Sequence, residues 1–163
     1  MDELLGLLKA KTDVLKLLGQ MWELLYIESK SPDVGIRREN LVRLLLRKEI
    51  GLEVEPAPPM ERSWDFKVII GEREKFYSLK TAEGPSAIKV AWNGFPSMQR
   101  ARRHQFVHPI LYIKNDRKRN EISVAVFDVS DLETVQREMG NAMWWMPRGG
   151  TNPRGFGISS RAV

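Results

Sequence analysis

At 163 residues the chain is long enough to bury a hydrophobic centre of its own, and it contains no cysteine, which excludes disulfides, cysteine zinc sites and thiol nucleophiles and suits a reducing cytoplasm. Its net charge of +5 is unevenly spread, for residues 1–85 hold 14 basic and 15 acidic side chains whereas residues 86–163 hold 12 and 6. A basic half points to a polyanionic partner, since lysine and arginine gain affinity by releasing condensed counterions, with a merely solvated basic surface as the alternative.

The opening run MDELLGLLKAKTDVLKLL mixes acids and lysines among its leucines. No secretory h-region or membrane span has that pattern, so a soluble, cytoplasmic protein with no membrane partner is expected. From Asp2 to Glu28, Leu4, Leu8, Leu15, Leu18, Trp22 and Leu25 recur at steps of three and four, interrupted by Lys11. This spacing predicts one long amphipathic helix that packs on the core, or alternatively lends its wide apolar face to a dimer contact. After turn chemistry at SKSPDVG, the run GIRRENLVRLLLRKEI predicts a second helix, with Leu41, Val42, Leu45 and Leu46 as its buried stripe and Glu39 in its first turn. Gly51 ends that helix, GLEVE reads as a short strand, and PAPP breaks it.

The clearest hairpin follows, SWDFKVII, a turn at GERE, then KFYSLK. Alternation puts Asp65 on the face of Lys67, and Ser78 on the face of Lys80. Beyond a loop at TAEGPS, AIKVAW is expected as a strand and PSMQRARRHQF as a basic helix. HPILYIKN and EISVAVFDV form a second hairpin around DRKR, and SDLETVQREMG reads as a helix capped by Ser130 or Asp131. The remaining NAMWWMPRGGTNPRGFGISSRAV is aromatic, glycine-rich and basic. Within it Trp144 and Trp145 cannot both face the same way if the segment is extended. Neither an internal repeat nor a linker is evident. The expected class is α/β, a single domain with a mixed central β-sheet flanked by helices.

Within the central hairpin Asp65 and Lys80 lie on neighbouring antiparallel strands. Phosphodiester hydrolysis needs carboxylate oxygens to hold a hard cation such as Mg²⁺, and a positive group beside the attacking water. A carboxylate on one strand and a lysine on the next supply both. A solvated surface hairpin is the alternative. His104 and His108 make a poor zinc site, because Pro109 puts the second at a strand entry, and no glycine-rich phosphate loop is present.

In SWDFKVII…FYSLKT, with GIRREN upstream, the chain resembles the PD-(D/E)xK nucleases, and among them the type II restriction endonucleases. Asp65 matches the aspartate of the motif, Ser78-Leu79-Lys80 its (D/E)-x-K end, and Glu39 the upstream acid that many members carry. Ser63-Trp64 stands where the motif has proline, and Ser78 replaces the second carboxylate. The SLKT…IKVAW stretch looks more narrowly like the ThaI group of restriction enzymes. The resemblance implies a restriction-endonuclease-like domain over 1–163, with an N-terminal helix at 1–34, a catalytic core at 35–92 and further core and DNA-contacting elements at 93–163. It also implies Mg²⁺ held by Asp65, the Leu79 carbonyl and either Glu39 or Glu83, with Lys80 acting on the water. Site-specific cleavage of double-stranded DNA by a homodimer is the activity that follows. The rival readings are a Holliday-junction resolvase and a non-catalytic DNA-binding protein whose motif has decayed at Ser78.

DNA contacts are expected from Gln99, Arg100, Arg102 and Arg103 on the basic helix and from Arg148, Asn152 and Arg154 in the tail. Arginine and glutamine or asparagine are the residues that bond bidentately to guanine and adenine edges.

Overall fold

Asp2 caps the first helix by accepting the Leu5 N–H at 3.1 Å. The computed structural model describes residues 2–28, 34–83, 90–93, 107–128, 132–136, 142–147 and 155–159. Where one long helix was expected there are two, α1 (Glu3–Ala10) and α2 (Thr12–Glu28), separated by Lys11 in a non-helical conformation. The cause is the one polar residue on the apolar stripe. A continuous helix would aim Lys11 at the core, whereas the break turns its ammonium out to the Glu49 carbonyl at 2.9 Å.

Helix α3 (Val34–Leu45) passes directly into a π-helical turn at Leu46–Ile50, closed by Gly51 at φ 82°. Glycine adopts that left-handed conformation without a Cβ penalty. The expected stripe is in place, for Leu41, Val42, Leu45 and Leu46 are all buried.

Strands β1 (Glu53–Pro56), β2 (Phe66–Ile70) and β3 (Arg73–Glu83) form an antiparallel meander. The β2–β3 connection is narrower than the expected GERE, just Gly71 and Glu72, with Gly71 at φ 64°. A positive φ at its first position matches the twist of a two-residue hairpin turn. Strand β3 runs on through Thr81, Ala82 and Glu83, so the loop anticipated at TAEGPS starts later than expected.

The eleven residues of β3 serve two partners. Its first half, Arg73–Tyr77, pairs antiparallel with β2, and its second half, Ser78–Glu83, pairs parallel with β5 (Ile110–Asp116). Strand β5 continues into β6 (Glu121–Phe127) as the second expected hairpin, whose turn is tied by Asp116 Oδ1 accepting the N–H groups of Lys118 and Arg119, both at 3.1 Å. Strand β9 (Gly155–Ser159) completes a six-stranded mixed sheet in the order β1-β2-β3-β5-β6-β9. A second sheet of three strands is ordered β4-β8-β7, from Val90–Asn93, Ala142–Pro147 and Leu132–Gln136.

Two expectations change in that smaller sheet. The strand anticipated at AIKVAW is present as β4 but pairs with β8, outside the main sheet. The capped helix anticipated at SDLETVQREMG is instead strand β7 over Leu132–Gln136, paired residue for residue with AMWWMP. Leu132, Val135 and Met139 keep a helical spacing, but Thr134-Val135 are β-branched and cross-strand pairing with β8 overrides the helical pattern. The tail contributes two strands, and Trp144 and Trp145 are consecutive in β8. The basic helix expected at 96–106 lies outside the described residues.

The helices cover one face of the large sheet. Leu4, Leu8, Leu15, Leu18 and Trp22 pack with Phe66, Tyr77, Leu79, Leu111, Ile113, Ile122 and Val124 in one buried cluster. Tyr112 and Ile110 alternate with these along β5 and are buried too, so the central strand is covered on both sides. Among the described residues no helix is long and apolar enough to cross a membrane.

Leu15 is 1% exposed and Leu24 64%. In urea unfolding, Leu15→Ala is expected to cost about 2–5 kcal/mol, the range for emptying a leucine site in a core. Leu24→Ala is expected to stay within about 0.5 kcal/mol. Similar costs for both would show that α2 does not present this face to the sheet.

Candidate active site

The site begins just before β2. Residue 66 is the first to pair as β2, so Asp65 lies just outside the strand while β3 continues past it. Backbone bonds fix Asp65 on both sides, its N–H donating to the Tyr77 carbonyl and its own carbonyl accepting from Ala57 N, each at 2.9 Å. Its carboxylate then takes the role the missing strand would have had. Leu79 N–H donates to Asp65 Oδ2 at 2.6 Å, a short contact of the charge-assisted kind. In an extended strand the N–H and C=O of one residue leave on the same side, so the Leu79 carbonyl is directed toward the same gap.

Ser78 and Lys80 lie on the sheet face opposite the helices, level with Ile110 and Tyr112 in the β3–β5 register. Ser78 is buried; its N–H donates to the Pro109 carbonyl at 2.9 Å and its hydroxyl points to the Ser63 carbonyl at 3.4 Å. That hydroxyl sits where the motif has a carboxylate, and its contacts are with the backbone.

Glu39 lies in the second turn of α3, not in the first as expected, because the helix begins at Val34 and its first turn carries no acid. Burial and then the negative charge of Asp65 push its carboxyl above the usual carboxylate range, opposed by the positive charges of Lys80 and Arg43. Three charged residues, Arg43 on α3, Asp65 just before β2 and Lys80 on β3, thus act on one carboxyl. Arg43 is the member that the sequence reading missed. Its signal was its place one helical turn after Glu39, and its guanidinium is hydrogen-bonded to Asn40.

Glu83, the alternative second acid, is not on a loop. It ends β3 and forms an ion pair with Arg38. Among the described residues no third carboxylate or imidazole joins Asp65 and Glu39. Two neighbouring carboxylates, one of them held against its preferred charge, together with a backbone carbonyl, are a hard-oxygen donor set that suits a divalent cation completed by water.

Beside Asp65 lies an aromatic group. Trp64 meets Phe76 edge-on at 5.0 Å between centroids, and Phe76 meets His108 at 5.3 Å. Gln99, Arg100, Arg102, Arg103, Arg148, Asn152 and Arg154, the candidate DNA contacts, lie outside the described residues, as does His104.

No family model and no curated protein matches this sequence. A solved restriction endonuclease in complex with substrate DNA is similar in structure, with a TM-score of 0.65 at 18% identity over 99% of this chain and 92% of its own. The Holliday junction resolvase Hjc of Archaeoglobus fulgidus gives a TM-score of 0.41 at 14% identity over 76% of this chain and 91% of its own. The likeness to the restriction endonuclease shows a restriction-endonuclease-like fold for this chain.

A carboxyl whose folded pKa is raised contributes stability that is present below its unfolded pKa and lost as pH rises through the folded one. Without divalent metal, raising the pH through the carboxylate range and on through the higher value of Glu39 is therefore expected to destabilise the wild type relative to Glu39→Gln. At neutral pH the variant unfolds at the higher temperature, and below the ordinary carboxylate range the difference narrows. Thermal unfolding across pH checks this, and a difference growing in the opposite sense would show that Lys80 and Arg43 outweigh burial and Asp65.

Proposed function

We propose that the protein is a Mg²⁺-dependent endonuclease that hydrolyses phosphodiester bonds in double-stranded DNA at a specific site, in the manner of a type II restriction enzyme. The observation that carries this reading is the fixed Asp65 carboxylate, bonded to Leu79 N–H beside Glu39 and one residue from Lys80, within this fold. Asp65, Glu39 and the Leu79 carbonyl are the groups that would hold the cation. When bound, Mg²⁺ supplies positive charge against the charge that develops on the phosphate oxygens.

The remaining work falls to the chain. The Lys80 ammonium donates a hydrogen bond to the attacking water, orienting its lone pair and favouring hydroxide. The water oxygen forms a new bond to phosphorus as one phosphodiester P–O bond breaks. Its proton passes to solvent, and the departing sugar oxygen takes one up. Ser78 acts indirectly, by joining β3 to the Ser63 segment that leads into Asp65.

Symmetric cutting of two strands favours a homodimer. The groove between α2 and α3, lined by Met21, Leu24, Leu25, Leu41 and Leu44 with Arg37 and Asn40, is mostly apolar surface suited to a second copy. Base recognition is assigned to Gln99, Arg100, Arg102, Arg103, Arg148, Asn152 and Arg154 on their chemistry alone.

Lys80→Ala is expected to reduce cleavage by about two to four orders of magnitude, the usual size of a positioned proton-transfer contribution, while duplex binding survives. Ser78→Ala is expected to keep measurable cleavage, whereas Asp65→Ala and Glu39→Gln lose it. Gel-shift and cleavage assays at one salt concentration separate the two effects. Equal loss of binding and cutting in Lys80→Ala would make that lysine a phosphate contact, and a dead Ser78→Ala beside an active Glu39→Gln would overturn the assignment of the second carboxylate.

A further inference from the structure

The charged pair that removes Glu83 from the metal site stands in a telling place. Arg38 immediately precedes Glu39 on α3, and Glu83 lies three residues beyond Lys80 on β3. Their side chains keep only 12% and 22% of their exposure. The Arg38 guanidinium carbon also lies 5.0 Å from the ring centroid of Trp22, a fully buried residue of α2. One guanidinium thus joins α2, α3 and β3.

Among the described residues little else anchors the front of α3. Gly35, Ile36 and Arg37 are exposed, and the apolar stripe of the helix begins only at Leu41, two residues beyond Glu39. Glu39 therefore sits between an apolar anchor behind it and an ionic anchor before it. The register places Glu83 on the helix-covered face, opposite Asn115 and in line with Leu79 and Thr81. The ion pair clamps the turn that bears Glu39 against the strand that bears Lys80. A planar guanidinium that both pairs with a carboxylate and stacks on an indole fixes direction as well as distance, which an ammonium would not.

We propose that the Arg38–Glu83 pair, seated on Trp22, is a positioning device that sets Glu39 against Asp65 and Lys80, so that divalent-cation affinity and cleavage rate both depend on it. This inference rests on the metal-dependent nuclease reading. Neither residue touches the reacting atoms.

The test uses Glu83→Gln, which keeps shape and hydrogen bonding but not charge, and Arg38→Lys, which keeps charge but not the planar stack. For each, Mn²⁺ binding to the protein alone is measured by titration calorimetry, beside thermal unfolding, duplex affinity and single-turnover cleavage at saturating DNA. Weaker Mn²⁺ binding is expected in both, with cleavage slowed by roughly 10- to 100-fold, the scale on which small misplacements act, while duplex affinity stays near that of the wild type and unfolding stays cooperative, at a temperature lowered by the disturbed charge pair. Unchanged Mn²⁺ affinity in either folded variant overturns the proposal, as does loss of cooperative unfolding in both, which would make the pair a folding element. A wild type that binds Mn²⁺ but cuts no DNA sinks the nuclease reading while the titrations still decide the positioning claim. A wild type that binds no Mn²⁺ overturns both.

Discussion

The bond from Leu79 N–H to the Asp65 carboxylate is the contact on which the rest of the site turns. Strand β3 exchanges one partner for another between Tyr77 and Ser78, and any such exchange strands backbone groups on the side the first partner has left. An unpaired buried N–H is costly. Here the donor is satisfied by a side chain, which holds that side chain in one orientation. The constraint that keeps the sheet intact also aims a carboxylate into the gap, with the Leu79 carbonyl directed to the same place.

Around that fixed acid the fold gathers charges from three elements. Glu39 is brought in by a helix whose apolar stripe is buried on the sheet, and Lys80 by the strand that makes the exchange. Burial and then the charge of Asp65 work against the ionised form of Glu39. A divalent cation between the two acids, as the proposed function requires, would favour the ionised form of both. Arg38 and Glu83 lie just outside this group, joined to each other and to Trp22.

Much of this was legible in the sequence where local chemistry decides. The two hairpins, the buried stripe of α3 and the approach of Asp65 to the next strand at Leu79 follow from alternation, helical spacing and turn residues. The break at Lys11 was signalled by a lysine on an apolar stripe, yet its outcome depended on a distant carbonyl at Glu49. Strand β7 departs from the helix that the spacing of Leu132, Val135 and Met139 suggests, because the partner that makes it a strand, AMWWMP, lies further along the chain. The role of Glu83 could not be read at all, for its partner lies 45 residues away on another element and no spacing rule connects them. Arg43, by contrast, stood one turn from Glu39 and could have been found.

The central claim, that these groups make a metal-dependent phosphodiester hydrolase, is tested most directly by incubating the protein with supercoiled plasmid, linear duplex and a four-way junction, each with Mg²⁺ or with EDTA. The account predicts discrete fragments from the plasmid and the linear duplex with Mg²⁺ and none with EDTA. Cutting confined to the junction would make the enzyme a resolvase and contradict site-specific duplex cleavage, and no cutting of any substrate, beside intact DNA binding, would contradict the catalytic account altogether.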